Sequence, residues 1–343
     1  MAKAQAKTSS TKTKTTPDLK QISIDKLPGI GPTTAKNLKG AGYGTVEALA
    51  SVPIAELCEI PGVGEKTARN AANRAREILQ LGLTTSAEEQ EFQKTKRKYI
   101  TTSSNSLDRL LGGGIMTHAV SELAGEFRTG KTQLCYQLAV NVQLPEEKGG
   151  LGKKAAWIDT EKTYFPERIT AIAKALNLDP DQVHSNIIYG LALNSDQQED
   201  FAKQILSKVR EENVGLLVID SLISHYRSEF SGRGELAPRQ QKLGRHIAFV
   251  ARQVFLLGIA CVVTNQVQAQ PDALFGGLKA AGGNIVGHAM THRFMLKKLR
   301  GKERGLRVAD SPLLPESSTE FMVDECGIRD APGKKVKKPL SET

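Results

Sequence analysis

The sequence lacks most of what marks a secreted, metal-stapled or membrane-bound chain. It has only four cysteines, Cys58, Cys135, Cys261 and Cys326, and none form a CxxC pair. That spacing excludes a zinc-ribbon pattern and a disulfide framework. Cys135 and Cys261 lie in apolar stretches and read as buried thiols. No apolar run approaches the roughly 20 residues that cross a bilayer. The opening stretch, MAKAQAKTSSTKTKTT, contains no apolar segment that could serve as a secretory signal. The expected protein is soluble, cytoplasmic and without a membrane partner.

Charge of one sign is also scarcer in the body than the total suggests. The net charge is +10, but residues 1–20 carry a net +4 and residues 332–343 a net +3. About +3 remains for everything between. Bulk charge is therefore a weak argument for a nucleic-acid partner, and solvated basic tails explain most of it.

With 343 residues and 39% hydrophobic residues, the chain suits one large core plus a smaller module. Residues 1–20 read as a disordered basic tail. Residues 21–80 are dense in short helical patterns broken by Gly and Pro. Residues 81–98 are polar, a linker with some helical tendency. From residue 99 to about 331, apolar strand-like runs alternate with amphipathic helical stretches, the pattern of a mostly parallel sheet covered by helices. Residues 332–343 form a basic C-terminal tail. Strands are expected at Ala119–Leu123, Ala155–Asp159, Leu216–Asp220, Ala260–Thr264, Arg293–Leu299, Leu306–Asp310 and Glu320–Val323. The last three are closely spaced, so the sheet should end in an antiparallel portion.

Residues 21–80 contain a repeat. Leu27-Pro28-Gly29-Ile30-Gly31 and Ile60-Pro61-Gly62-Val63-Gly64 share the form apolar-Pro-Gly-apolar-Gly. Each is followed by an Ala four residues on and then by a cation, Lys36 or Arg69. The repeat resembles the helix-hairpin-helix motif. Glycines such as Gly29, Gly31, Gly62 and Gly64 permit a tight turn that turns backbone N–H groups outward at a helix N-terminus, where a phosphate binds. Such contacts hold the DNA backbone and do not read its sequence. Tight turns in a small helical domain are the plainer reading of either copy alone.

The strongest local signal is Gly125-Glu126-Phe127-Arg128-Thr129-Gly130-Lys131-Thr132, the GxxxxGK[ST] phosphate loop, between an expected strand and the helical stretch Gln133–Val142. Its amides are expected to cradle the phosphates of ATP, with Lys131 on the β/γ-phosphates, Thr132 on Mg²⁺ and Gln133 adjoining. Leu216-Leu217-Val218-Ile219-Asp220 reads as the strand that brings Asp220 to the metal. Glu161, in Trp157-Ile158-Asp159-Thr160-Glu161, is the candidate base for the attacking water. The alternative is that Asp159 or Glu161 only caps the next helix. Gln266, after Ala260–Thr264, can sense a γ-phosphate because an amide both donates and accepts.

A double hairpin, a linker and a phosphate-loop core, in that order, resemble the archaeal RadA branch of the RecA family of strand-exchange ATPases and its eukaryotic counterparts. The matching segments include LAVNVQLPEEKGGLG (138–152), IDTE (158–161), FPERI (165–169), SGRGELAPRQQKLGRH (231–246), VVTNQV (262–267) and DSPLLPE (310–316). The resemblance spans about residues 21–332. It implies a RecA-like α/β core with a small all-α N-terminal domain. It also implies Glu161, Lys131 and Gln266 as catalytic residues and Arg168 packed on adenine. His288 and Asp310 are implied to reach ATP held by the neighbouring subunit. Two loops are implied to line a DNA channel. The first spans about 226–239, with Arg227, Arg233 and Arg239. The second spans about 268–284, with Gly282 and Gly283.

The implied function is homologous pairing and strand exchange between single- and double-stranded DNA. It would be carried out by a helical filament or ring with ATP between subunits, assisted by recombination mediator proteins. The chain departs from the family pattern at three places. Arg128 and Lys162 stand where the family usually has Gly, and Lys162 is placed to pair with Glu161 and lower its basicity. Thr84 stands where the family's linker has a Phe that plugs into the next subunit. The alternative is therefore a paralogue that binds ATP and DNA without forming long filaments. A helicase-type ring motor fits less well, because it lacks a reason for the tandem hairpins.

Overall fold

The computed structural model describes residues 23–230, 232, 234–269 and 278–332. The two basic tails, Arg233 and residues 270–277 lie outside the described residues. The chain begins with α1 (Pro32–Gly40), α2 (Val46–Ser51), α3 (Ile54–Cys58) and α4 (Glu65–Ile78). The stretch expected as a polar linker contains a full helix, α5 (Ser86–Lys96), closed at its start by a capping box in which Thr85 and Glu88 satisfy each other's amides.

The core then runs β1 (Tyr99–Ile100), α6 (Asn105–Leu110), β2 (Ile115–Met116), β3 (Ala119–Gly125), α7 (Lys131–Asn141), β4 (Lys154–Asp159), α8 (Pro166–Ala175) and α9 (Pro180–Ser185). It continues with β5 (Ile187–Leu191), α10 (Ser195–Lys208), β6 (Val214–Asp220), α11 (Ser224–Glu229) and α12 (Leu236–Leu257). The last part is β7 (Ala260–Asn265), β8 (Val267–Ala269), β9 (Leu278–Ala280), α13 (Gly283–Ala289), β10 (His292–Lys298), β11 (Glu303–Asp310), β12 (Ser318–Asp324) and β13 (Gly327–Asp330).

Nine of these strands form one sheet in the order β13-β12-β11-β10-β3-β7-β6-β4-β5. The strands from β10 to β5 pair in parallel, and β10 to β13 pair antiparallel, as the short spacing of the last strands predicts. The central strands are wholly buried because helices cover both faces of a parallel sheet. Successive residues serve opposite faces. Leu217, Ile219, Cys261 and Val263 pack toward α10 and α12, whereas Leu216, Val218, Ala260 and Val262 pack toward α7 and α8.

The N-terminal helices dock on the α10/α12 side and join that hydrophobic layer. The ring edge of Tyr43 meets Phe249 of α12 at 6.2 Å. The buried Glu47 pairs with Arg210 at 2.6 Å, and Gln253 Nε2 donates to Ser51 Oγ at 2.7 Å. The two hairpin turns have nearly one geometry. Gly31 and Gly64 are the N-caps of α1 and α4, with φ/ψ of −78°/167° and −77°/162°. Gly29 and Gly62 hold φ of +85° and +77°, where a side chain would be strained.

Candidate functional site

Parallel strands deliver their C-terminal ends to one sheet edge, which is where ligands bind in open α/β sheets. Here that edge collects the loop after β3, Glu161 after β4, Asp220 at the end of β6 and Gln266 after β7. The register aligns Asp159 with Asp220 and Ala124 with Asn265, so the four groups face one another across adjacent strands.

The loop Gly125–Gly130 wraps back on itself. Gly130 starts α7 with φ +100°, Thr129 Oγ1 donates to the Glu126 carbonyl at 2.8 Å, and Phe127 is exposed. Lys131 Nζ donates to the Gly125 and Glu126 carbonyls at 2.8 and 2.9 Å. Burial lowers the Lys131 pKa from its ordinary value, while Asp220 and Glu161 act to keep it charged. Asp220 is the complement. Burial pushes its carboxyl up, and the Thr264 and Thr132 hydroxyls pull the other way. The Thr264 hydroxyl donates to Oδ1, and Oδ2 is buried without a protein partner.

Glu161 Oε1 accepts from Ser221 Oγ at 2.8 Å and from Gln266 Nε2 at 3.3 Å. Asp159, the competing carboxylate, is committed elsewhere. It accepts from the amides of Glu161, Thr163 and Tyr164 at 3.0, 3.2 and 3.1 Å and from the Tyr189 hydroxyl at 3.2 Å. It therefore holds the turn that presents Glu161. Tyr136 adds to this turn, donating to the Thr163 carbonyl and accepting from the Phe165 amide, both at 2.6 Å. Sequence reasoning missed Asp159 in this role, along with Tyr136, Ser221 and Thr264. The only local signal is that Ser221 directly follows Asp220.

Lys162 is exposed and has no ion pair among the described residues, so the expected pairing with Glu161 is not formed. The physical reason is backbone direction. Lys162 has φ +57° and Arg128 has φ +62°. Both departures thus fall in the left-handed region that suits glycine. Arg168 joins three segments, its Nε donating to Gln133 Oε1 at 2.6 Å and its Nη1 and Nη2 to the Glu325 and Asp324 carbonyls, each at 2.5 Å.

His288 and Asp310 are exposed, and Asp310 lies level with the middle of β3 rather than with the phosphate loop at its end. Asp310 pairs with Arg293, which pairs with Glu122. That is three strand positions before Gly125, or roughly 10 Å at the usual rise. Neither residue belongs to the group at Lys131 within one chain.

The described ends of the two expected DNA loops converge. Arg227 of α11, Arg239 in the first turn of α12 and Gly282 line one depression with Ile223, Tyr226 and Leu243. Gly282 has φ +97°, and a Cβ there would come within 2.4 Å of Val286 Cγ2, so only glycine fits. Gly283 follows it as the first residue of α13. Tyr226 beneath Arg227 is fixed by its hydroxyl on Glu199 Oε1 at 2.8 Å, and Lys242 binds Asp196 and Ser195 Oγ, each at 2.6 Å. At the hairpins, Arg69 is held by Glu65 at 2.6 Å, whereas Lys36 has no partner among the described residues.

A family model described as Rad51 matches residues 93–331. The chain belongs to the Rad51 family. Ahead of the Rad51 region, a model described as a SAM-like helix-hairpin-helix tandem matches residues 22–77. Among Rad51-type relatives, a protein of Aeropyrum pernix named DNA repair and recombination protein RadA is 47% identical over 308 residues, covering 90% of this chain and 96% of its own. One of Ignicoccus hospitalis with the same name is 46% identical over 321 residues, covering 92% and 98%. Thr84, in the segment between the two matched regions, is engaged within its own helix start. Its hydroxyl donates to Glu88 Oε2 at 2.7 Å, while the adjacent Leu83 is fully exposed.

Proposed function

We propose that this chain is a DNA repair and recombination protein that binds single-stranded DNA as an ATP-dependent filament and promotes homologous pairing and strand exchange. The observation that carries this reading is the junction at Gln266. Its side chain reaches Glu161 at 3.3 Å, and its carbonyl accepts the Ala281 amide at 2.8 Å, where the second loop returns. One residue therefore touches both the candidate hydrolytic carboxylate and the candidate DNA loop.

The residues at this edge fit a nucleotide and a divalent cation. Asp220 Oδ2 is a buried acceptor without a partner, and such atoms call for a ligand. Among the described residues, no group of three or more His, Cys, Asp or Glu is arranged to hold a metal. Mg²⁺, which takes one or two carboxylates with phosphates and water, suits Asp220 and Thr132. When bound, MgATP supplies the transferable γ-phosphoryl group. Lys131, whose ammonium donates to the Gly125 and Glu126 carbonyls, would hold the phosphates together with the amides of 125–133. Arg168, held by Gln133 and the Asp324 and Glu325 carbonyls, would border the base. Glu161, oriented by Ser221, would take the proton of an attacking water, and Gln266 would register a γ-phosphate. His288 and Asp310 serve ATP bound by the next subunit.

Arg227, Arg239, Gly282 and Gly283, with Arg233, then hold the strand extended. Base pairing supplies the specificity. The hairpin at Gly29 and Gly31, whose Lys36 is free, is the better-equipped phosphate site; that at Gly62 and Gly64 has its cation tied up. Electron microscopy of the chain with single-stranded DNA, Mg²⁺ and a non-hydrolysable ATP analogue tests the reading. Long regular filaments are expected. DNA binding without filaments would refute this and favour the accessory-paralogue reading, which the engaged Thr84 also favours.

A further inference from the structure

Glu122 sits in the middle of β3, three residues before the phosphate loop, with a side chain that is 0% exposed. A buried carboxylate is costly unless both oxygens are satisfied. Here each oxygen has one partner. Oε1 accepts from Asn265 Nδ2 at 2.7 Å, and Oε2 accepts from Arg293 Nε at 2.7 Å. An ion pair so buried gives little net stability over an apolar pair of similar size. Its partners are therefore more telling than its energy.

Asn265 is the residue before Gln266. Its Nδ2 also donates to the Ala281 carbonyl at 2.7 Å, and its Oδ1 has no partner. One amide group thus holds both Glu122 and the returning end of the second loop. Arg293, on the other side, stands opposite Asp310 in the β10–β11 register. Its guanidinium packs on Gly287, where a Cβ would lie 2.9 Å from Nη1, next to His288. Glu122 therefore joins the strand that carries the phosphate loop to the neighbours of Gln266, Ala281, His288 and Asp310.

We propose that Glu122 is a positioning residue that couples nucleotide binding to the second DNA loop and to the face carrying His288 and Asp310. This rests on the functional reading above. When Gln266 shifts toward a γ-phosphate, Asn265 shifts with it, because they are adjacent at the strand end. Asn265 cannot move alone, since an unpaired oxygen on a buried carboxylate is heavily penalised. Glu122, Ala281 and Arg293 then adjust together between two arrangements, which is the physical requirement for coupling between sites.

The test uses Glu122→Gln in the full chain. Gln keeps the bond from Asn265 but turns an amide donor toward Arg293. Two affinities are measured by fluorescence anisotropy: that for a labelled ATP analogue, and that for labelled oligo-dT with and without a non-hydrolysable ATP analogue and Mg²⁺. Nucleotide affinity is expected to stay near that of the unaltered chain. The nucleotide-induced gain in oligo-dT affinity is expected to fall roughly tenfold, within the usual range of coupling between sites. A Glu122→Gln/Arg293→Gln pair, whose amides can bond each other, should restore most of it. Should the buried change prevent folding, Arg293→Gln, at a side chain 23% exposed, carries the same expectation. A gain that survives in both single variants overturns the proposal. So does a loss of nucleotide affinity by the same factor, which is what a merely structural role produces. An unaltered chain with no nucleotide-dependent gain would instead overturn the functional reading.

Discussion

Asp220→Asn should make the free chain more stable and the nucleotide-bound chain less so. In the free chain, Asp220 Oδ2 is buried without a partner, and Glu161 and Asp159 both oppose the charge. Asn keeps an acceptor for the Thr264 hydroxyl and removes a charge that Glu161 and Asp159 oppose. An unsatisfied buried group costs about 1–3 kcal/mol, and the substitution recovers part of this. For a chain of 343 residues that is a rise in Tm of about 1–2 °C per kcal/mol. With MgATP the order reverses. Ligand at 100 times its Kd stabilises by about 2.7 kcal/mol, and the variant forfeits most of it with the metal ligand.

Thermal melts of both proteins, with and without MgATP, should therefore cross. The pH dependence has a definite sign. Asp220's folded pKa is raised above its ordinary value of 3.8, so its contribution is fully present below that value and is lost as pH rises through the folded pKa. The free variant's advantage should accordingly shrink on acidification. A free variant that melts lower than the unaltered chain at neutral pH, or one that MgATP still stabilises fully, would refute the reasoning.

Glu161→Gln should abolish DNA-dependent ATPase activity in a phosphate-release assay while nucleotide binding persists; surviving activity would move the base elsewhere. Arg227→Gln and Arg239→Gln should each lower the slope of log K against log salt for single-stranded DNA by roughly 0.7, the value for one neutralised phosphate. Unchanged slopes would remove those side chains from the DNA path. Lys162→Gly should raise stability by up to about 1 kcal/mol, because left-handed backbone costs a side chain about 1–2 kcal/mol and glycine returns part of that through its freer unfolded state. Lys162→Ala should leave the melt near its original position, and an equal rise for both would show that charge and not backbone is at issue.

The chemistry-bearing loops were legible because their signal is local. The loop pattern at 125–132 and the apolar run ending in Asp220 are each recognisable within eight residues, and the structure brings both to one sheet edge. The resemblance to a known family then supplied the partners across the chain. What local reading missed depends on tertiary context. Strand β5 is a half-exposed edge with Gly190 inside it, and that glycine is explained only by the Phe201 ring, 3.0 Å from where a Cβ would sit. Helix α5 has a single large apolar residue, Phe92, and buries none, so its periodicity was silent, although Thr85 and Glu88 stood at capping-box spacing. Asp159 and Glu161 look interchangeable in sequence. Only the three amides aimed at Asp159 separate them. Lys162 illustrates the converse error, because two neighbouring opposite charges do not meet when the backbone turns one away.

Helix α12 has 22 residues and so extends about 33 Å. Arg239 is in its first turn, Phe249 and Gln253 seat the N-terminal helices near its other end, and Phe255 meets the His118 ring beyond them. A continuous helix resists compression along its axis. It therefore acts as a ruler between Arg239 and the N-terminal helices and, under the function proposed above, would fix how far apart a single protomer grips two stretches of nucleic acid. A push on one end arrives at the other as displacement, not as local repacking.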